Sequence, residues 1–198
     1  MQVITPKFNW QSPLVPLNLS KVLFVVLHHP AAFTATPEQI HQWHQANGWN
    51  GIGYNEYIRK DGTVVICRGD HIGAQCENMN SKSYGICCEG NYDIETKMPE
   101  AQFNSLVERL KYHKTRFKNL REIGPHKRFG NTACPGKYFP LQQVLAALEK
   151  DNEFENALKT WQSKGDMASP DYWAKNAVKG GLCKGEFVRQ LIINAAKQ

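Results

Sequence analysis

The chain has 198 residues, of which 41% are hydrophobic, enough for a folded core of ordinary domain size, which excludes global disorder. Its longest apolar run, residues 22–27, is strand-sized and far short of the roughly 20 residues that a membrane-spanning helix needs. The net charge of +6 points to an anionic membrane or a wall rich in phosphate and carboxylate; no compact Lys/Arg block with interleaved aromatics is present, so no nucleic-acid partner is expected.

Residues 1–20 read as an N-terminal extension. They lack the basic-then-apolar order of a signal peptide, so synthesis in the cytoplasm without export by the usual leader is expected. Lys21–His28 is a continuous apolar run ending in histidines, the pattern of a strand buried on both faces. Thr36 then caps a helix with Pro37 at its first position, Ile40, Trp43 and His44 at helical spacing, and Gly48 as its stop. Asp61-Gly62 between two β-rich runs marks a hairpin, and SYGICCEG at 83–90 is a further strand.

From Pro99 to Asn119 the spacing of Phe103, Leu106, Val107, Leu110 and Phe117 predicts a long amphipathic helix. A loop over 124–140 follows, then a helix from Leu141 to Glu149. Strands interspersed with helices predict an α/β domain with a mixed central sheet flanked by helices, over residues 21–150. Beyond it, 151–198 holds only helical pieces, at 153–164, 170–178 and 185–197, and reads as a small C-terminal helical module. Trp161, Tyr172 and Trp173 there are spaced either for a helical core or for stacking on sugars, and core is the commoner use. The six cysteines include an adjacent pair and fit a disulfide scaffold badly; most read as small buried hydrophobes in a reducing compartment.

The loop GPHKRFGNTACPGKYFP places His126 and Cys134 eight positions apart. Catalytic zinc takes three protein ligands and keeps a fourth position open. The third ligand is expected at the end of a core strand, where VLHHP offers His28 and His29. Neighbouring strand residues point to opposite faces, so only one of the two can ligate.

The pieces VVLHHPAA, IHQWHQANGWNGIGYNEYIRKDGTVVICRG, SYGICCEG and GPHKRFGNTACPGKYFP, in this order over about Lys21 to Pro140, resemble the zinc-dependent N-acetylmuramoyl-L-alanine amidases of the amidase-2 type. This group includes phage lysozymes and animal peptidoglycan-recognition proteins. The resemblance implies Zn2+ held by His28, His126 and Cys134, with peptidoglycan as the partner. It also implies a catalytic role for the Tyr54 hydroxyl, with Thr132 standing where phage lysozymes often carry lysine. Two departures are visible. Cys87 occupies the position where some relatives place a glutamate base, leaving Glu89, two residues on, as a weaker candidate. Gln75 replaces a histidine common near the cleft. His29, Asn55, Gln75 and Glu89 are the weaker candidates for substrate contact.

On this resemblance the expected reaction is hydrolysis of the amide joining N-acetylmuramic acid to L-alanine, by a phage endolysin or a bacterial autolysin acting on the wall after release from the cytoplasm. The alternative is a peptidoglycan-binding receptor-like module without catalysis, which the retained ligand trio disfavours. Nothing in the sequence speaks to oligomeric state.

Overall fold

The computed structural model describes residues 1–163, 170–177 and 185–197. Its strands are β1 (Val3–Ile4), β2 (Phe24–His28), β3 (Glu56–Ile58), β4 (Val64–Ile66), β5 (Ser83–Cys88) and β6 (Glu122–Pro125). Its helices are α1 (Pro37–Ala46), α2 (Glu100–Arg116), α3 (Leu141–Ser163), α4 (Pro170–Asn176) and α5 (Gly185–Ala196). No described helix is long and apolar enough to cross a membrane. Two compact units divide the chain, Met1–Val144 and Leu145–Gln198.

In the first unit the strands form one mixed sheet in the order β1-β4-β3-β5-β2-β6. β2 lies between β5 and β6 and runs parallel to both. That position explains its unbroken apolar sequence: with neighbours on each edge and cover on each face, Val25, Val26 and Leu27 are all fully buried. The predicted hairpin is present, with β3 and β4 antiparallel. Its turn closes through Gly62 N–H to the Arg59 carbonyl at 2.9 Å and Thr63 N–H to Asp61 Oδ1 at 2.8 Å. Gly62 sits at φ +86°, a conformation glycine adopts without the Cβ clash of other residues.

The ends of α1 follow its sequence signals. Thr36 Oγ1 accepts from Gln39 N–H at 3.2 Å, and the Gln39 side chain accepts from Thr36 N–H at 2.9 Å, a reciprocal capping box that satisfies two otherwise orphaned donors. One side of the sheet is covered by a core that joins Ile40 of α1 to Ile52, Tyr57, Val65 and Cys87. On α2, Leu106 and Leu110 are fully buried, and the helix also supplies a buried ionic group. There, Glu56 accepts from Arg109 Nε at 2.9 Å, from His113 Nε2 at 2.9 Å and from the Tyr84 hydroxyl at 3.0 Å.

Three features differ from the sequence reading. Residues 1–20, read as an extension, contribute β1, an edge strand parallel to β4. A second parallel neighbour of β2, the strand β6, occupies the start of what was read as loop. The helices expected at 141–149 and 153–164 are one continuous helix, α3, since no glycine or proline interrupts Glu149 to Glu153.

In the second unit, Phe154, Ala157, Leu158, Ala177, Ile192 and Ile193 form a buried cluster, with Trp161 and Trp173 packed partly buried against it. These two indoles therefore serve the core, while Tyr172 is exposed. The ends of the predicted segments at 164 and 178 lie outside the described residues. The five described cysteines are free thiols, and all but Cys134 are buried; Cys183 lies outside the described residues.

Candidate metal centre

β2 delivers His28 at its carboxyl end, 1% exposed. In parallel register beside it stands Cys87 of β5, so the two side chains share a face. On the other flank β6 ends at Pro125 and a short 3-10 turn begins with His126. The chain then returns through Asn131 and Thr132 to bring Cys134 against the same strand end. The Cys134 sulfur lies 3.7 Å from His28 Nδ1, and the His28 and His126 rings are 4.6 Å apart. One ligand atom from each of His28, His126 and Cys134 lies within 4.8 Å of the other two.

The chemistry of these donors suits a zinc ion. Zn–N bonds of about 2.0–2.1 Å and Zn–S bonds of about 2.3 Å, arranged tetrahedrally, set donors a little over 3 Å apart, and the 3.7 Å sulfur-to-nitrogen separation matches that scale. Burial, then the neighbouring His126 and His29, hold the His28 imidazole well below its ordinary pKa. Burial also lowers that of His126. Both rings are thus neutral near neutrality, as ligation requires. Without a cation, burial pushes the Cys134 thiol up to about 11, against the opposing pull of the His29 N–H. A bound cation is what would deprotonate it.

His29 faces another way. Its Nδ1 accepts from Tyr92 N–H at 3.1 Å, which puts the ring proton on Nε2, 3.8 Å from Asp93 Oδ2. The choice between the two adjacent histidines thus falls on His28, while His29 contributes its backbone N–H to the Cys134 sulfur at 3.4 Å.

A cavity of about 340 Å³ opens over the trio, with Tyr54, Thr132, His29 and Gln75 in its wall. The Tyr54 ring is 5.1 Å from that of His28. Burial, then the nearby Cys87 and Cys134, raise the Tyr54 pKa well above that of an ordinary tyrosine, so it remains a hydroxyl donor. Thr132 Oγ1 accepts from Cys134 N–H at 3.2 Å, a bond that shapes the loop and does not use the hydroxyl proton.

A second cavity of about 600 Å³ adjoins the first, sharing Trp49, Gln75, His126 and Thr132, and bears Glu77 on its wall. Gln75, 7% exposed, is held by Nε2–H to Ser83 Oγ at 3.1 Å. Ser83 donates its own proton to the Met79 carbonyl, so it can only accept from Gln75. That fixes the amide orientation and leaves Gln75 Oε1 without a partner. The side chain occupies space next to two glycines: a Cβ at Gly73 would lie 1.6 Å from its Oε1, and one at Gly85 would lie 2.8 Å from its Cγ.

Two of the weaker candidates stand away from the cavities. Asn55 is fully buried; its Nδ2 donates to the Gly69 and His71 carbonyls and its Oδ1 accepts from Gly85 N–H, each at 2.8 Å. It staples the loop after β4 to β5. Glu89 accepts from Lys60 N–H at 2.8 Å at the hairpin, outside the walls of both cavities. β5 ends at Cys88, so strand alternation does not carry from Cys87 to Glu89.

Sequence reading gives His44 only a place in the α1 pattern and Trp49, just past the Gly48 stop, no role in the site, yet both line the smaller cavity. His44 Nδ1 accepts from Gly53 N–H at 3.0 Å, placing its ring proton on Nε2. Trp49 meets His44 edge-on, with centroids 4.8 Å apart, and is 47% exposed. The available signal was an indole just past a helix stop, where a core residue is not expected.

The mixed sheet flanked by helices matches the fold of solved amidases and peptidoglycan-recognition proteins. The N-acetylmuramoyl-L-alanine amidase family model, Amidase_2, matches residues 18–137, and the chain belongs to that family. The endolysin of Klebsiella phage KP32 is 40% identical over 80 residues, covering 38% of this chain and 52% of that protein. Peptidoglycan-recognition protein SC2 of Drosophila melanogaster is 34% identical over 148 residues, 67% of this chain and 80% of that protein. Among solved structures, the endolysin N-acetylmuramoyl-L-alanine amidase LysCS from Clostridium intestinale superposes with a TM-score of 0.69 at 31% identity, covering 75% of this chain and 95% of that one. The matched segment spans about half the length of the KP32 endolysin.

Proposed function

We propose that this chain hydrolyses the amide between the lactyl group of N-acetylmuramic acid and L-alanine in bacterial peptidoglycan, with zinc as its cofactor. The observation that carries the reading is the convergence of His28, His126 and Cys134 to within 4.8 Å under an open cavity. When bound, zinc supplies Lewis acidity toward the scissile carbonyl and acidifies water for attack near neutral pH.

The chain's own residues do the rest. Tyr54 and Thr132 present hydroxyl protons to a carbonyl oxygen seated over the trio and stabilise the charge that builds on it. One such donor is worth about 2.7–4 kcal/mol. His44, with its proton on Nε2, is a third donor in the same wall. Cys87 stands where a carboxylate base would be, and burial pushes its thiol well above the ordinary range, so it removes no proton from water. Trp49 and the adjoining cavity give the sugar or peptide on either side of the bond a surface to lie on.

The complete donor trio favours catalysis over a receptor that only binds the wall. By analogy with the KP32 endolysin, the chain acts on the wall after release from the cell that makes it. The test is purified protein on cell walls: new N-terminal alanine without new reducing sugar ends is expected, and reducing ends alone would replace the assignment with a glycosidase.

A further inference from the structure

Four cations from three separate stretches of sequence meet at the pole of the sheet opposite the metal centre. Just before β2, Leu23 N–H donates to the Lys82 carbonyl and the Leu23 carbonyl accepts from Arg121 N–H, both at 2.8 Å. Lys82 and Arg121 therefore stand one strand to either side of Leu23, roughly 10 Å apart by the spacing of neighbouring strands. Lys21 lies two residues before Leu23. Lys118 lies in the turn after α2, which Asn119 Nδ2 ties to the Ser20 carbonyl at 2.8 Å.

All four residues are exposed. Among the described residues none of the four has an ion pair, whereas nearby Arg116 is paired with Asp70 at 2.7 Å and Arg128 with Glu122 at 3.3 Å. Because β2, β5 and β6 are parallel, their starts cluster at this pole while His28, Cys87 and His126 cluster at the other.

We propose that this pole docks an anionic, phosphate-bearing polymer of the bacterial wall. The proposal rests on the wall-directed reading above. The cations form an open row across strand starts rather than an enclosed pocket, which suits a chain of repeated charges better than one small anion. None of the exposed large apolar side chains belongs to the row, so it lacks the wedge by which interfacial proteins enter a membrane. The exposed aromatic nearby, Tyr112, is covered by the guanidinium groups of Arg109 and Arg116, 4.3 and 5.1 Å from its ring, rather than presented for a nucleic-acid base to stack on. Like charges left unpaired at this spacing repel one another, and a polyanion relieves that repulsion. Holding the wall from this pole leaves the cleft at the other free to reach the amides that join glycan strands to their peptides.

The test is sedimentation of the full chain with purified walls carrying their phosphodiester polymers, with the same walls after acid extraction of those polymers, and with anionic phospholipid vesicles. Binding to the polymer-bearing walls is expected to fall at least about tenfold when salt shortens the Debye length, and as far in the variant K21E/K82E/K118E/R121E. Its hydrolysis of a soluble muramoyl-peptide should stay at the unsubstituted rate. The uncharged K21Q/K82Q/K118Q/R121Q variant should show an intermediate loss, separating charge from misfolding. Equal sedimentation of the charge-reversed chain, equal binding to extracted walls, or preference for the vesicles would each overturn the proposal. Absent soluble hydrolysis in the unsubstituted chain would sink the catalytic reading alone, and sedimentation would still decide the docking surface.

Discussion

The backbone N–H of His29 points at the sulfur of Cys134 from 3.4 Å away. One residue of the His-His pair thus offers its ring to the candidate metal site, and the next offers its amide to the ligand opposite. A thiolate gains from such a donor, since hydrogen bonds to a charged acceptor are about twice as strong as neutral ones. Cys134→Ser keeps the loop's hydrogen bonds but removes the soft donor. Zinc content, measured by mass spectrometry on purified protein, is expected to fall to background, with wall lysis down by at least about a hundredfold and the far-ultraviolet dichroism unchanged.

Chelation should act in the same way. The sheet is built from Val25, Val26, Leu27 and Ile86, all fully buried without reference to the trio, so removing the metal is expected to abolish lysis while leaving a cooperative thermal transition. Unfolding on chelation would mark the site as structural instead.

Tyr54→Phe keeps the ring against His28 and deletes only the hydroxyl. Turnover of a soluble muramoyl-peptide is expected to drop by about a hundred- to a thousandfold with zinc content retained. Unchanged turnover would assign Tyr54 to the core.

Acid should weaken the fold through Glu56. Burial raises its pKa, but the hydrogen bonds from His113 and Arg109 more than offset this, and the carboxyl sits at about 2 against an ordinary 4.5. A depressed carboxyl stabilises the fold above its unfolded pKa, and that contribution is lost as pH falls through the folded value. The window is therefore about pH 4.5 down to 2, with a loss on the order of 3 kcal/mol. His113 acts in the same direction: burial lowers its pKa, so the unfolded chain takes up its proton first. Glu56→Gln should flatten the acid limb of a urea-midpoint profile and lower stability at neutral pH by about 3–5 kcal/mol, since Arg109 is left with an unpaired charge.

Asn55→Ala separates structure from substrate contact. Losing three buried hydrogen bonds should lower the melting temperature markedly, by about 1–3 kcal/mol for each group left unsatisfied. If Asn55 touched substrate, KM would rise in protein that remains fully folded at low temperature; no such rise is expected.

Much of this arrangement was legible because pattern and environment agree. The unbroken apolar run of β2 reflects its central place, Thr36 and Gln39 declare a helix start, and Asp61-Gly62 declares a turn. β6 was hidden because Glu-Ile-Gly-Pro has neither alternation nor length; only pairing with β2 makes it a strand. The helix break expected between Glu149 and Glu153 is absent because the polar residues there are ones that a helix tolerates. Within the site, His28, His126, Cys134, Tyr54 and Thr132 all reach one cleft. Asn55 and Glu89 do not, since one turns inward and the other lies past the end of its strand. His44 was missed because a helical spacing tells which residues share a face, not what that face meets, and Trp49 because a residue past a helix stop carries no pattern at all.

Gln75 lies across Gly73 and Gly85 in a space that a methyl group at either would enter. A side chain arriving at either glycine would have to push the glutamine aside, at the cost of its hydrogen bond to Ser83. The missing side chains at both positions are thus what lets a residue as long as glutamine lie flat at position 75.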